Sequence, residues 1–190
     1  MAAPVIKDLL VLRTGMQWNA LNATGVCSST SAHRRFQEWE QAGVFHEVWR
    51  QGLLEYDTVV GIDWAWLAAD GATLESIPIE RPTPSPEQPQ GLCLDRGYDS
   101  PPMHTLAIEH GYTPHIRARG EEIKLKARIP GWRARRWVVE ATHSWLNRNR
   151  GILIRWCKKD ENHLALLQLA SGLIAFKKAR TATLAAGQPG

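Results

Sequence analysis

Cysteine is scarce in this chain: Cys27, Cys93 and Cys157 are the only three among 190 residues, and none has a paired spacing. That excludes a disulfide scaffold and the usual zinc patterns, and it reads as reduced thiols in a cytoplasmic setting. Long apolar runs are missing too. The longest, Leu164 to Phe176, is interrupted by Gln168 and Ser171. It falls short of the ~20 residues a membrane span needs, so a buried helix is expected there and no membrane partner. Lys7-Asp8 interrupts the opening apolar stretch, so no export leader is expected. Acids are scarce in one region. Residues 117–159 hold thirteen Lys or Arg against only Glu121, Glu122 and Glu140, although the net charge of the whole chain is +4. Such a block suits a polyanion, and a nucleic acid is the usual one.

What is present is an ordinary globular composition, 44% hydrophobic and 22% charged, long enough to bury a core. Val5, Ile6, Leu9, Leu10 and Leu12 make an apolar helical stripe that Arg13-Thr14-Gly15 stops. Ser28-Ser29-Thr30 offers N-caps for a second helix carrying Phe36 and Trp39, and Ala42-Gly43 breaks it before Phe45, Val48, Trp49 and Leu53. Residues 1–56 are therefore expected to form a small helical module. It is either a helix-turn-helix-like DNA-binding unit or a cap that only packs.

Residues 57–69 are rich in β-formers, so a strand running into Asp70-Gly71 is expected. Five prolines between 78 and 90 impose an extended connector. Gly91 to Asp95 reads as a strand buried on both faces. Ser100-Pro101 opens a helix that Gly111 ends, and Tyr112 to Arg117 reads as a further strand, giving a βαβ unit. A helix is expected from about Ala134 to Asn149, with Arg133, Arg136, Glu140, His143 and Asn147 on one face. A last helix is expected over about 161–179, and a disordered tail over 181–190.

Three acids stand in distinctive settings: Asp70 before Gly71, Asp95 at the carboxyl end of a buried strand, and Glu140 four residues after Arg136. Each has a bland reading. Asp70-Gly71 is a common turn, Asp95 with Asp99 can simply stabilise one, and Glu140 with Arg136 is an ordinary helix pair worth ~0.3–0.5 kcal/mol. Together they are what two-metal phosphoryl transfer needs, because carboxylates are hard ligands that suit Mg²⁺. Two such charges ~4 Å apart repel by ~4 kcal/mol at an effective dielectric of about 20, so a fold gathering three calls for cations.

Several stretches carry a resemblance. They are Val11-Leu-Arg-Thr-Gly15-Met-Gln-Trp18, Asp63-Trp-Ala-Trp-Leu-Ala-Ala-Asp70-Gly71, Leu92-Cys-Leu-Asp95-Arg-Gly97-Tyr98-Asp99, Gly111-Tyr-Thr-Pro-His-Ile-Arg117, Arg135-Arg-Trp-Val-Val-Glu140-Ala-Thr-His-Ser-Trp145-Leu and Leu166-Leu-Gln-Leu-Ala170. Over about residues 5–179 the chain resembles bacterial insertion-sequence transposases of the DDE class, in the insertion-sequence-five group. The resemblance implies an α+β or α/β fold: an RNase H-like catalytic core over 57–180, behind the helical module of 1–56. It implies Asp70, Asp95 and Glu140 as catalytic residues and as ligands of two Mg²⁺ or Mn²⁺ ions. It also implies DNA as partner, both terminal inverted repeats and target, a homo-oligomeric assembly, and a place at the bacterial nucleoid. From the basic block Arg117, Arg119, Lys124, Lys126, Arg133, Arg136 and Arg148 are the expected DNA contacts. Arg136 matches the family arginine four residues before the glutamate, whereas Arg133 and Asn147 stand where related members often carry a tyrosine and a lysine.

One departure is larger. Asp95 follows Asp70 by only 25 residues, where the family has a longer stretch supplying two more strands and a helix. Thr73 to Pro82 resembles what normally precedes the second acid, which places a join near Gly71–Thr73. The opening also lacks the family's usual beginning. The expectation is an internally deleted, N-terminally shortened copy. About three strands would remain, the strand before Asp70 would become an uncovered edge, Trp64 and Trp66 would lose neighbours, and activity would be impaired. The alternative is a non-catalytic DNA-binding remnant. A basic RNA-binding protein is disfavoured, because no exposed aromatic pair of the base-stacking kind is recognisable.

Overall fold

The computed structural model describes residues 3–68, 77–94, 96–116, 124, 127–128 and 144–186. Packing divides the chain into two units, one built from Met1–Ile62 with Ser144–Gly190 and the other from Asp63–His143. Among the described residues no helix is long and apolar enough to cross a membrane.

The first unit is helical. Helix α1 spans Ala3–Thr14, a 3₁₀ segment Trp18–Thr24, α2 Ser29–Gln41 and α3 Val44–Val59. From the far end of the chain come the short α5, Arg150–Leu153, and the long α6, Asp160–Ala186. Leu12, Phe36, Phe45, Ala165, Leu166, Leu169 and Ala170 form the core they share. Each large side chain fully buried there contributes roughly 1.5–3 kcal/mol relative to exposure. Phe36 is its hub, with ring centroids 5.0 Å from Trp18 and 4.8 Å from Phe45.

Helices α3 and α6 approach until backbone meets backbone. A Cβ on Gly172 would lie 2.7 Å from the Val48 carbonyl oxygen, and one on Gly52 would lie 2.7 Å from that of Gly172. Only glycine permits such contact on both sides. Gly151 plays the same part where α5 meets α1, with its absent Cβ 2.7 Å from the Val11 carbonyl oxygen. The Trp156 indole N–H donates to the Gly15 carbonyl oxygen at 2.9 Å, fastening the segment after α5 to the end of α1.

The second unit holds a three-stranded parallel sheet in the order β1-β2-β3. The strands are Trp66–Ala68, Gln90–Cys93 and Tyr112–His115, with α4 at Pro101–Glu109 between the last two. The register sets Ala68 opposite Cys93 and Cys93 opposite His115. The central strand is buried as its apolar run predicts, with Cys93 1% and Gln90 4% exposed. The Gln90 side-chain amide donates to the Pro82 carbonyl oxygen at 2.7 Å, so the proline-rich connector is tied to the sheet. Pro114 sits in an outer strand, where a missing N–H is tolerated.

Several expectations change. The β-branched run Thr58-Val59-Val60 does not open a strand. Helix α3 continues through Val59, closed by Gly61 at φ +83° and by the Asp57 carboxylate accepting from the Ile62 N–H at 2.8 Å. The run itself is exposed and extends a helix whose buried residues, Phe45 and Gly52, lie in its earlier turns. Helix α2 is not capped by a serine hydroxyl; the Asn22 side chain accepts from the Ser29 N–H at 2.8 Å. The tail expected to be disordered from 181 is helical through Ala186. No Gly or Pro interrupts it before Gly187, and the Thr181 hydroxyl donates to the Lys177 carbonyl oxygen at 2.9 Å. Packing groups the residues from 144 onward with the N-terminal helices. The helix expected over 134–149 lies outside the described residues except for its last turn, where 144–146 are helical.

Candidate active site and nucleic-acid interface

Asp70, Asp95 and Glu140 all lie outside the described residues, as do Arg117, Arg119, Lys126, Arg133 and Arg136. The described structure gives the scaffold that leads to the first two. Strands β1 and β2 run parallel and are still paired at Ala68 and Cys93, two residues before Asp70 and Asp95 respectively. The third strand is paired at His115, two residues before Arg117. In open parallel sheets the carboxyl ends of strands are where ligands bind.

The face behind those ends is organised around Gly91. Trp66 on β1 and His115 on β3 reach over it from either side, ring centroids 4.8 Å apart at 64°. A Cβ on Gly91 would lie 2.5 Å from the Trp66 ring and 3.0 Å from the His115 ring. The expectation that Trp66 loses its neighbours is therefore not met: the glycine and the histidine supply them. Past Cys93 the chain stays buried at Leu94, forms a 3₁₀ turn at Arg96–Tyr98, and enters α4 with a His104 ring nitrogen 3.0 Å from the Asp99 carboxylate. Among the described residues no group of three His, Cys, Asp or Glu is arranged to hold a metal ion.

Of the predicted DNA contacts, Lys124 and Arg148 are described, and both are exposed. Arg148 lines a cavity of about 470 Å³ in the helical unit together with Arg13, Lys177 and Lys178. The Lys178 ammonium lies 3.5 Å from the centroid of the Trp145 ring, a cation–π contact. Burial, and then the neighbouring Arg148, hold the Lys178 ammonium below the usual lysine range. Sequence reasoning missed Arg13, Lys177 and Lys178. It took Arg13 as a helix stop and the two lysines as the end of an apolar helix, and no local spacing connects them to residue 148.

Residues 8–49 match the model of a family described as "Putative transposase of IS4/5 family", and residues 92–177 match a transposase DDE domain. The second match contains Asp95 and Glu140; Asp70 lies in the stretch between the two. The chain is 34% identical over 96 residues to a Burkholderia cepacia protein described as "Putative transposase for insertion sequence element IS402". That match covers 50% of this chain and 43% of the relative, so the chain spans under half of that protein's length. No solved structure matches. Over residues 8–49 and 92–177 the chain is thus similar to insertion-sequence transposases of the DDE, IS4/5 type.

Proposed function

We propose that this chain carries an RNase H-like DDE site acting on DNA, with Asp70, Asp95 and Glu140 as its catalytic carboxylates and Arg117 beside them. The observation that carries this reading is the register. Ala68 and Cys93 are paired on neighbouring parallel strands, and each acid follows by two residues. On this reading both strands run on to the acids, where equal steps along them would reach the same level and a two-residue step would return to the same face. Strands lie ~4.8 Å apart, a spacing that suits two carboxylates sharing cations. Arg117 likewise follows the paired His115 by two residues, and on this reading it would meet a phosphate.

The donor set fits two Mg²⁺ or Mn²⁺ ions, because carboxylate oxygens are hard ligands. When bound, such ions stabilise the attacking and leaving oxygens of an in-line displacement at a phosphate. The protein's own part is to hold the three acids, to keep the β1–β2 pairing intact beneath them, and to grip the DNA backbone with Arg119, Lys124, Lys126, Arg133, Arg136 and Arg148. Catalysis then falls to the Asp63–His143 unit, with the helical unit as a DNA anchor. The reading extends to hydrolysis and strand transfer at transposon ends, and by family analogy to assembly as a multimer on DNA in the bacterial cytoplasm.

This copy is impaired, on our reading. Only 25 residues separate Asp70 from Asp95. The strand leading to Asp70 is three residues long and is an edge among the described strands. The same observation favours a second reading, a DNA-binding remnant without catalysis. Metal-dependent nicking of terminal-inverted-repeat DNA by wild type and Asp95→Asn decides. Weak nicking that the variant loses while still binding DNA supports the enzyme. Binding without nicking in both supports the remnant. Nicking at the level of a full-length relative overturns the impairment, and nicking that survives Asp95→Asn overturns the site.

A further inference from the structure

We propose that the cavity lined by Arg13, Arg148, Lys177 and Lys178 in the helical unit seats a sugar–phosphate backbone of DNA. The four cations come from three parts of the chain: the end of α1, the turn before α5, and α6. Among the described residues no Asp or Glu lines the cavity. Among the described residues, no carboxylate pairs with any of the four. Some cations elsewhere in the unit do find carboxylates: Arg34 and Arg35 pair with Glu38, Arg50 with Glu47, and Arg155 with Asp160. Gathering like charges without counter-charges costs free energy unless an anion completes the set.

The shape narrows the anion. A volume of about 470 Å³ exceeds what a lone phosphate fills and cannot enclose a duplex. The walls mix these cations with apolar side chains of α6, and the Trp145 ring lies beneath Lys178. A sugar–phosphate chain alternates in the same manner, apolar deoxyribose beside anionic phosphate. Trp145 holds Lys178 in place, so little side-chain entropy remains to be lost on binding. DNA as the occupant rests on the transposase reading. The site itself uses none of the proposed catalytic residues.

The test measures binding of the full chain to a fluorescently labelled DNA duplex of unrelated sequence, between 50 and 200 mM salt. Two double variants remove groove charge, Arg13→Gln with Arg148→Gln, and Lys177→Gln with Lys178→Gln. Arg34→Gln with Arg35→Gln removes the same charge from α2. Each groove pair should weaken binding at least about tenfold at 100 mM salt and flatten the log–log salt slope by about two, while the α2 pair changes binding less than about threefold. Equal effects from all three pairs, or no effect from the groove pairs, overturn the proposal. Acetylation of the wild-type lysines, read by mass spectrometry, serves where a variant fails to fold. DNA should protect Lys177 and Lys178 but not Lys7, and absence of that protection also overturns it. Tighter binding of duplex RNA than of DNA overturns the assignment of the ligand. The catalytic reading fails separately: wild type would then bind through the groove without nicking. If only the groove fails, the Lys177→Gln with Lys178→Gln pair binds and nicks as wild type does.

Discussion

Trp66 and His115 meet ring to ring, 4.8 Å apart, although they sit on the two outer strands of the sheet. They can do so because Gly91 of the intervening strand offers no side chain. A single contact thus spans all three strands and pins the register that leads toward Asp70 and Asp95.

Gly91→Ala should therefore loosen the sheet. The added methyl would lie 2.5 Å from the Trp66 ring, so the two rings must part. A cost of about 1–3 kcal/mol is expected, of the size seen for overpacked interiors. Amide hydrogen exchange should show lower protection in Gln90–Cys93, whereas Gly97→Ala, with nothing within 4 Å, should leave it unchanged.

Gly172→Ala tests the close approach of α3 and α6. The new methyl meets the Val48 carbonyl oxygen at 2.7 Å, and backbone cannot swing aside. Urea unfolding should show a loss of about 2 kcal/mol or more. Gly43→Ala should cost only ~1–2 kcal/mol, because it strains a left-handed turn at φ +69° that has open space around it.

Asp8 predicts a pH dependence. Burial raises its pKa from 3.8 to about 7, and Lys7 only partly opposes this. The folded state then holds a proton that the unfolded state releases, so stability falls as pH rises from about 4 to about 7 and levels off above. Asp8→Asn should be more stable than wild type at pH 8, and the gain should disappear near pH 4. Chemical denaturation of both proteins across that range checks the sign, and a gain that is constant with pH would count against it.

Trp156→Phe removes the indole donor to Gly15 while keeping an aromatic ring. The expected loss is about 0.5–1.5 kcal/mol in thermal unfolding, the usual worth of one hydrogen bond.

Local signals were legible wherever the chain decides locally. Arg13-Thr14-Gly15 ends α1, Gly43 separates α2 from α3, and Gly111, at φ +79°, closes α4. The buried strand at Gln90–Cys93 and the parallel neighbour at Tyr112–His115 followed from apolar runs and from the helix between them. What escaped depends on residues far apart in the chain. Nothing near Gly52 announces Gly172, so the extension of α3 through a β-branched run and the return of α6 to the N-terminal helices left no spacing to read. The basic cavity escaped for the same reason. Asp70, Asp95 and Glu140 are proposed from family resemblance, and the residues leading toward the first two supply a register that composition alone does not contain.

The helical body is sewn from both ends of the polypeptide. A ribosome delivers Leu12, Phe36 and Phe45 early, but their partners on α6 emerge only after the whole intervening stretch has been made. Until then the nascent chain carries an unfinished hydrophobic surface, open to chaperones and proteases. A premature stop anywhere before Asp160 would remove α6 and with it the closing side of that body, so a break late in the chain would expose the core at Leu12, Phe36 and Phe45.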